Sequence, residues 1–431
     1  AMIDRVRGVL SGRARWYDII HTWGASTPLS FANNRFHSIT ERHNSGYGIR
    51  VNVDGKTGFS YTNDPSRLAV TAERALALAA FGDEEDFELP AAAGSGFEPW
   101  DDAIESFDTA REAAGAEEDI AAILARFPAA TVDAGISRYA GGMRLVNSRG
   151  LDATFRSCRY SASLSATLIM DDGTRIDASE SMSALAPAAH PELRETIIRN
   201  IGNALSVARL PSGTVPVLLT PRAFARLAGI VLSGLNARSV WKGISPFGEK
   251  RGERIFNPSL TVRDNPLAAG FPDGYPFDDE GVAAADKVMI GAGRIERFIT
   301  DLKHAQKLGI PAEGNGARGF SSLPYPSYSN IIIDPGMEPR EAILAGMGRG
   351  ILVEQFIGLG QSNTITGDFS GSLELAFLVE NGRIAGRVKD CMISDNIFRL
   401  LAGDIVMSAE RERMGSVLAP SLFLPSVNCT G

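Results

Sequence analysis

Histidine and cysteine, the side chains that most often bind zinc or serve as catalytic bases and nucleophiles, are scarce in this sequence. The 431 residues include five histidines and three cysteines, and no two cysteines form a Cys-x-x-Cys pair. Neither a disulfide framework nor a zinc ribbon is indicated, so a reducing cytoplasm is the simplest compartment to expect. The histidines also lack the close spacing on one helix that a helical zinc-protease motif needs.

Long apolar runs and an excess of basic residues are missing as well. The most apolar window, residues 223–235, contains Arg226 and is shorter than the stretch of about 20 apolar residues that crosses a bilayer. A net charge of −8 disfavours direct contact with nucleic acid or with an anionic membrane surface. We therefore expect neither a membrane span nor direct binding of nucleic acid.

Turn and cap signals predict a chain of hairpins and helices. Asp54-Gly55 between two β-prone runs predicts a hairpin, and Asp64-Pro65 before apolar residues at helical spacing predicts a helix packed on that hairpin. An acidic and glycine-rich stretch from Gly82 to Asp102 predicts a solvated loop. Further helices are predicted at 113–127 and after Pro191. The predicted class is α+β with antiparallel sheets, because strand–helix alternation with a phosphate loop is absent.

A linker at Pro211-Ser212-Gly213 divides the chain into two predicted domains. Residues 1–210 are predicted to form an N-terminal α/β domain with an antiparallel sheet and packed helices. Residues 214–431 are predicted to form a β-rich, barrel-like domain. Early in this second domain, Thr220 as N-cap and Pro221 in the first turn predict the start of a helix.

Three adjacent acids, Asp278, Asp279 and Glu280, precede a glycine and are the most conspicuous candidate site. Neighbouring carboxylates could bind a cation or an amino group. A run of charges more often marks a solvated face, so an exposed acidic turn is the favoured interpretation from sequence alone. His304 could serve as a base, although a surface histidine on a helix is the simpler interpretation.

Several short segments form an ordered series from about residue 45 to the C-terminus. They include Gly46-Tyr-Gly-Ile-Arg-Val51, Ser239-Val-Trp-Lys242, Arg263-Asp-Asn-Pro266, Phe277-Asp-Asp-Glu-Gly281, Gly367-Asp-Phe-Ser370 and Gly415-Ser-Val-Leu-Ala-Pro-Ser-Leu422. In this order the chain resembles the TldD/PmbA family, whose members have been labelled modulators of DNA gyrase and are understood as subunits of a zinc peptidase. The resemblance covers most of the chain.

The helix after Thr220 distinguishes the two branches of that family. In the TldD branch it carries a His-Glu-x-x-x-His motif, and a cysteine near the C-terminus completes the zinc site. The resemblance places the motif positions on Ala228, Gly229 and Ser233, which cannot bind zinc, and the stretch 403–415 contains no cysteine. The chain therefore resembles the TldE (PmbA) branch, without a metal or a catalytic residue of its own.

The resemblance implies the metal-free half of a heterodimer whose TldD-type partner holds the zinc. Small or unfolded peptides are the expected substrates, and this chain would shape the chamber and help to bind them. A homodimer of the isolated chain is one possible state, since a surface meant for a homologous partner can pair with itself. The candidates for contact with the peptide or the chamber are Asp278, Asp279, Glu280, His304, Asn315 and Asp368.

Two other functions stay open at this level. One is a stand-alone binding or regulatory module, such as a gyrase-associated modulator or a partner in peptide maturation. The other is a hydrolase with a different site, for example a hard cation such as Mg²⁺ held by the oxygen atoms of Asp278, Asp279 and Glu280.

Overall fold

A computed structural model of the chain describes residues 2–94, 96–359 and 365–431. The described helices are α1 (Met2–Leu10), α2 (Leu68–Leu78), α3 (Thr109–Arg126), α4 (Pro191–Ala204), α5 (Pro221–Gly234), α6 (Ala237–Trp241), α7 (Leu302–Leu308), α8 (Arg340–Gly346) and α9 (Ile397–Ala402). None of these described helices combines the length and the apolar character that a bilayer span requires.

The strands fall into two groups along the chain. Those of the first half are β1 (Trp16–Ala32), β2 (Arg35–Ile39), β3 (Arg42–Val53), β4 (Lys56–Thr62), β5 (Thr131–Asn147), β6 (Asp152–Ile169) and β7 (Arg175–Ala184). Those that follow are β8 (Val207–Ala208), β9 (Gly213–Leu219), β10 (Val262–Asp264), β11 (Lys287–Gly291), β12 (Arg294–Ile295), β13 (Gly316–Ala317), β14 (Tyr325–Pro326), β15 (Ile331–Ile333), β16 (Arg349–Ile357), β17 (Asp368–Glu380), β18 (Arg383–Val388), β19 (Met392–Asn396), β20 (Val406–Met414) and β21 (Val417–Thr430).

The first half folds around an antiparallel sheet with the strand order β4–β3–β1–β5–β6–β7, and β2 pairs with β1. The predicted hairpin joins β3 to β4. Its turn residues Asp54 and Gly55 have φ values of 50° and 84°, as expected for a two-residue turn whose twist matches that of the flanking strands. The hairpin prediction is confirmed.

Helix α2 packs on this hairpin, as predicted. Its buried face includes Leu68, Ala72 and Ala75, and two of these are small enough to let the helix backbone approach the strand. At Gly58 on β4, a Cβ atom would lie 2.0 Å from the carbonyl oxygen of Ala75, so glycine permits the close contact. Pro65 belongs to a short 3₁₀ turn, and the α-helix itself begins at Leu68.

The second half forms a mixed, largely antiparallel sheet whose central strands close into a barrel. Strand β9 pairs with β16 and β21, β16 pairs with β17, β17 pairs with β19, and β19 pairs with β21. In this ring, β9–β16 is parallel and the other pairs are antiparallel. The predicted α+β class with a β-rich, barrel-like second half is confirmed.

The two largest apolar cores share the barrel strands. One contains helix α5 together with Leu219 and Val353, whereas the other contains α3, α4, the first sheet and Leu218 and Leu352. Adjacent residues on β9 and β16 therefore face opposite cores, as the alternation of side chains along a strand requires. The predicted domains at 1–210 and 214–431 share the second core, and their boundary stays a prediction.

The stretch from Gly82 to Asp102 differs from the solvated loop that its composition predicts. It has little regular structure, but Phe87 and Leu89 are buried and pack with Trp16 of the first sheet and Leu302 of α7. These apolar contacts, together with the ion pairs of Lys303 with Asp83 and Glu85, hold this part of the segment between the two halves of the chain.

Candidate functional site

Helix α5 begins where the sequence places its cap. The hydroxyl oxygen of Thr220 accepts a hydrogen bond of 3.5 Å from the N–H of Ala223, and Pro221 lies in the first turn. The predicted apolar face is buried, and its members are Phe224, Leu227, Ala228, Val231 and Leu235. This face fixes the helix against the barrel, so a ligand can meet α5 on the opposite face alone.

The opposite face of α5 carries no side chain that binds zinc. Of the motif positions, Gly229 (half-buried) and Ser233 (exposed) lie on this face, whereas Ala228 belongs to the buried apolar face. Zinc sites use thiolate, imidazole or carboxylate ligands, and the other residues on this face are Arg222, Ala225 and Arg226. This set of residues does not fit a zinc ion. Across the described ranges, no group of three His, Cys, Asp or Glu side chains is placed to hold a metal ion.

Of the three acids after Phe277, two are buried and Asp279 is half-buried, so the expected exposed acidic turn is wrong. Asp278 and Glu280 are 3% and 1% exposed. Asp278 Oδ1 accepts hydrogen bonds from the N–H groups of Glu280 (3.0 Å) and Val282 (2.9 Å), and Oδ2 accepts one from Gly316 (2.7 Å). Three backbone donors replace the water that a charge run normally keeps, which makes burial of this carboxyl group possible.

Glu280 belongs to a buried chain of charges that joins the two halves. Arg50 on β3 donates Nη1 to Glu280 Oε1 (2.7 Å) and Nε to Asp18 Oδ2 (3.0 Å). Arg318 places Nη2 at 3.0 Å from Asp18 Oδ1. The second oxygen of Glu280 accepts a hydrogen bond from the N–H of Leu302 at the start of α7 (2.7 Å). These contacts fix the acidic turn to the first sheet and to α7.

Burial and nearby charges act in opposite directions on these carboxyl groups. Burial, followed by the charge of Glu280, raises the pKa of Asp278 to about 8. Burial raises the pKa of Asp279 to about 6, and it also raises the pKa of Glu280. Burial alone would raise the pKa of Asp18, but the two neighbouring guanidinium groups outweigh it and hold that pKa below its usual value. Asp279 therefore changes charge near neutral pH.

Asp279 borders a cavity of about 440 Å³ between the first sheet and the second half. Its Oδ2 accepts a hydrogen bond from the N–H of Arg318 (2.7 Å). Across the cavity, Arg159 forms an ion pair with Asp273. The aromatic residues of the wall are Tyr139, Phe155, Tyr275 and Tyr328. Aromatic walls beside carboxyl groups can accommodate an amphipathic or cationic ligand.

His304 lies on α7, as predicted, but it is not at the surface. Its side chain is buried because Asp301, the N-cap of α7, accepts a hydrogen bond from the His304 N–H (2.7 Å) and lies 2.6 Å from Nδ1. The ring also meets the ring of Trp241 edge-on, with 5.9 Å between centroids. His304 therefore lies on the same helix whose first N–H binds Glu280, but its own ring contacts Asp301 and not the acidic turn.

Asn315 is buried beside a second pair of charges next to the acidic turn. Its Nδ2 donates to Asp264 Oδ2 (2.6 Å), and Lys287 Nζ lies 3.2 Å from the same oxygen. The next residue along the chain, Gly316, donates its N–H to Asp278. Asn315 therefore supports the loop that holds the turn.

Asp368 is separate from the other candidates. It is exposed at the start of β17, where Oδ2 accepts a hydrogen bond from the hydroxyl of Thr366 (2.7 Å) and Oδ1 accepts one from Nδ2 of Asn396 (2.9 Å). Asn396 is the N-cap of α9. The structure thus places Asp368 at a junction of the barrel rather than beside the acidic turn.

Sequence analysis missed the buried charges that organise this region: Asp18, Arg50, Asp264, Lys287 and Arg318. A usable signal existed at two of them, because Asp18 and Arg50 each interrupt a run of apolar and β-prone residues in a strand. Lys287 stands at the start of an apolar run, where a charged residue is common, and Arg318 lies between an alanine and a glycine, so neither offers such a signal.

Solved structures with the same fold span the whole chain. TldE from Thermococcus kodakarensis matches with a TM-score of 0.92 at 21% identity, covering 100% of both chains. A protein from Thermotoga maritima that carries the name of a DNA gyrase modulator matches with a TM-score of 0.89 at 24% identity, covering 100% of this chain and 99% of that one. These likenesses establish the fold.

Sequence relatives cover the chain almost as fully. An uncharacterised protein from Methanocaldococcus jannaschii is 26% identical over 388 residues, which are 88% of this chain and 87% of the relative. A metalloprotease from Methanothermobacter thermautotrophicus is 24% identical over 413 residues, 91% of this chain and 87% of the relative.

Two family models account for most of the elements described above. The model of the PmbA/TldA metallopeptidase C-terminal domain matches residues 212–431, which include α5, the barrel and the acidic turn. The model of PmbA/TldA metallopeptidase domain 1 matches residues 17–79, the region of the first hairpin and α2. The chain therefore belongs to the PmbA/TldD family of metallopeptidases.

Proposed function

We propose that the chain is the non-catalytic, TldE-like subunit of a two-subunit zinc peptidase. A TldD-type partner would supply the zinc, while this chain would close the chamber and hold small or unfolded peptides. Family membership supports the peptidase part of the proposal. The observation that carries the role of this subunit is the sequence of α5, where Ala228, Gly229 and Ser233 stand at the positions of the family's zinc ligands.

The same face of α5 is suited to lie close to a peptide. A Cβ atom at Gly229 would meet no atom within 4 Å, so there is free space above the helix backbone at this point. Zinc held by the partner would activate a water molecule and polarise the scissile carbonyl group. The small residues Ala225, Gly229 and Ser233 on this face would leave room for a peptide backbone of any sequence.

The acidic turn supports the chamber in this proposal. The carboxyl groups of Asp278 and Glu280 are occupied by N–H donors, so they position the loop rather than bind the peptide. Asp279 borders the aromatic cavity and is the proposed peptide contact among the three acids. All three cysteines are free thiols, in keeping with a complex that works in the reducing cytoplasm.

Purification of the chain alone and together with its TldD-type partner tests the proposal. We expect bound zinc and cleavage of short unstructured peptides in the complex, and neither in the isolated chain, which we expect to be a homodimer. A partner with its first motif histidine replaced by alanine should lose both zinc and cleavage, whereas Ser233→Ala in this chain should change neither. Stoichiometric zinc or peptide cleavage in the isolated chain would contradict the proposal.

A further inference from the structure

A second cavity, of about 390 Å³, lies at the N-terminal end of α5. We infer that it binds a primary ammonium group of a peptide and that Glu354 on β16 is the carboxylate that receives this group. The inference deepens the proposed function and rests on it, because a subunit that holds peptides needs a fixed point for one end of the chain.

A β-bulge places Glu354 in this cavity. The residues before and after it, Val353 and Gln355, pair with consecutive residues of β17, whereas Glu354 opposes none. At the same point β16 parts from β9, and the carbonyl oxygen of Val353 accepts a hydrogen bond of 3.0 Å from the N–H of Thr220, the N-cap of α5. Bulges redirect side chains away from the regular ladder, and this one directs Glu354 towards the start of α5.

Carboxylates outnumber arginines in this cavity, and within the described residues none of these arginines, Arg199 at the rim included, forms an ion pair with Glu354. The lining includes five glutamates and three arginines. Two of the arginines are already neutralised, because Arg222 Nη1 lies 3.2 Å from Glu180 Oε1 and Arg340 Nη1 donates to Glu412 Oε1 (2.9 Å). In the described part of the chain, Glu354 has neither a hydrogen bond nor an ion pair through its side chain.

An unpaired carboxylate in an enclosed site is costly unless it is protonated or meets a cation. Burial, followed by the charge of Glu180, raises the pKa of Glu354 to about 7, which is the expected effect of that cost. A primary ammonium group removes the cost of the unpaired carboxylate, since its three N–H donors can reach several carboxylate oxygens at once. An anion would instead meet a lining with an excess of negative charge.

The cavity is open to a ligand at one end. Glu192, Glu195 and Arg199 on α4 are exposed and form its rim, while Thr220 is buried at its floor. Arg222 lies on the solvent face of α5, the face that also holds Gly229. A peptide whose amino group sits at Glu354 can therefore continue along the face of α5 that faces the proposed chamber.

Calorimetric titration of the isolated full chain with small peptides tests the inference. The probes are trialanine amide, its N-acetylated form, and an N-acetylated Ala-Lys-Ala amide. We expect the first to bind and acetylation to weaken its binding at least tenfold. Binding of the acetylated lysine peptide would show that the ammonium group is recognised on a side chain too, and its failure to bind would assign the site to a peptide amino terminus.

Variants of the chain identify the group that binds. Glu354→Gln should weaken binding at least tenfold, and Glu180→Gln should weaken it to a smaller extent. Glu117→Gln on α3, an exposed position away from the cavity, makes the same change in net charge and should leave binding as in the wild type. Thermal unfolding of each variant confirms that it is folded.

Two results would overturn the inference: equal binding of the free and the acetylated trialanine amide, or unchanged binding to folded Glu354→Gln. These results are distinct from a failure of the proposed function. If trialanine amide binds through Glu354 but the complex with the zinc subunit cleaves no peptide, the ammonium site stands and the peptidase role fails.

Discussion

Replacement of Arg50 by methionine tests how the two halves of this chain are joined. Methionine keeps an apolar stem but removes the guanidinium group, in which Nε and Nη2 donate to Asp18 at 3.0 and 2.5 Å and Nη1 donates to Glu280 at 2.7 Å. Arg50 is 2% exposed and both acids are 1% exposed. Water therefore cannot replace the lost donors without opening the structure.

The expected magnitude follows from this geometry. Removal of one member of a buried ion pair costs about 3–5 kcal/mol. Arg318 still contacts Asp18, and Glu280 can take up a proton because burial already raises its pKa. We therefore expect the lower end of that range, about 3 kcal/mol, which corresponds to a thermal midpoint lowered by roughly 3–4 °C when all 431 residues unfold together.

Thermal unfolding followed by circular dichroism and tryptophan fluorescence measures this effect, and Trp16 is a local probe because the guanidinium of Arg50 lies 5.2 Å from its ring centroid. Arg13 is a matched control, since its ion pair with Glu73 (2.6 Å) is half exposed and solvent screening should leave it with little effect on stability. The double variant Arg50→Met, Glu280→Gln should be less destabilised than the sum of the single variants. Equal midpoints for Arg50→Met and Arg13→Met would refute the reasoning.

Two further predictions concern Asp279 and the contact between α2 and β4. Burial raises the pKa of Asp279 to about 6, so the folded chain retains a proton that the unfolded chain has released, and this residue costs stability as the pH rises from about 4 to about 6. Asp279→Asn removes that cost, so the difference between the thermal midpoints of the variant and the wild type should rise between about pH 4 and about pH 6. A difference that stays constant over this pH range would contradict the prediction. Gly58→Ala places a Cβ atom 2.0 Å from the carbonyl oxygen of Ala75 and should cost about 1–3 kcal/mol by displacing α2, measured by urea unfolding and by amide exchange in α2. The control is Gly115→Ala on α3, where a Cβ atom meets nothing within 4 Å, and it should be neutral or stabilising by up to about 1 kcal/mol. If both variants lost a similar free energy of unfolding, the close contact between α2 and β4 would not explain the effect at Gly58.

Local signals predicted the elements that depend on neighbouring residues. Positive φ at Asp54-Gly55 and the cap at Thr220 are properties of a few consecutive residues, and both predictions are confirmed. Strand β1 was not predicted, because its first five residues are all buried and the next eight are all half-buried, so its side chains do not alternate between apolar and polar. Both faces of β1 are buried at its start and half-buried farther along. The strand therefore lacks the two-residue alternation that identifies a half-exposed strand in a sequence.

The sequence by itself determined the chemistry that α5 can offer, because the ability of a side chain to bind zinc depends on its type, and Ala228, Gly229 and Ser233 lack the required groups. Tertiary structure alone decided that Asp278 and Glu280 are buried and that Glu354 projects into a cavity. Arg50 and Glu280 are 230 positions apart, and burial depends on such distant partners. Charge runs on their own predict solvent exposure, and only the folded chain shows which of them are paired.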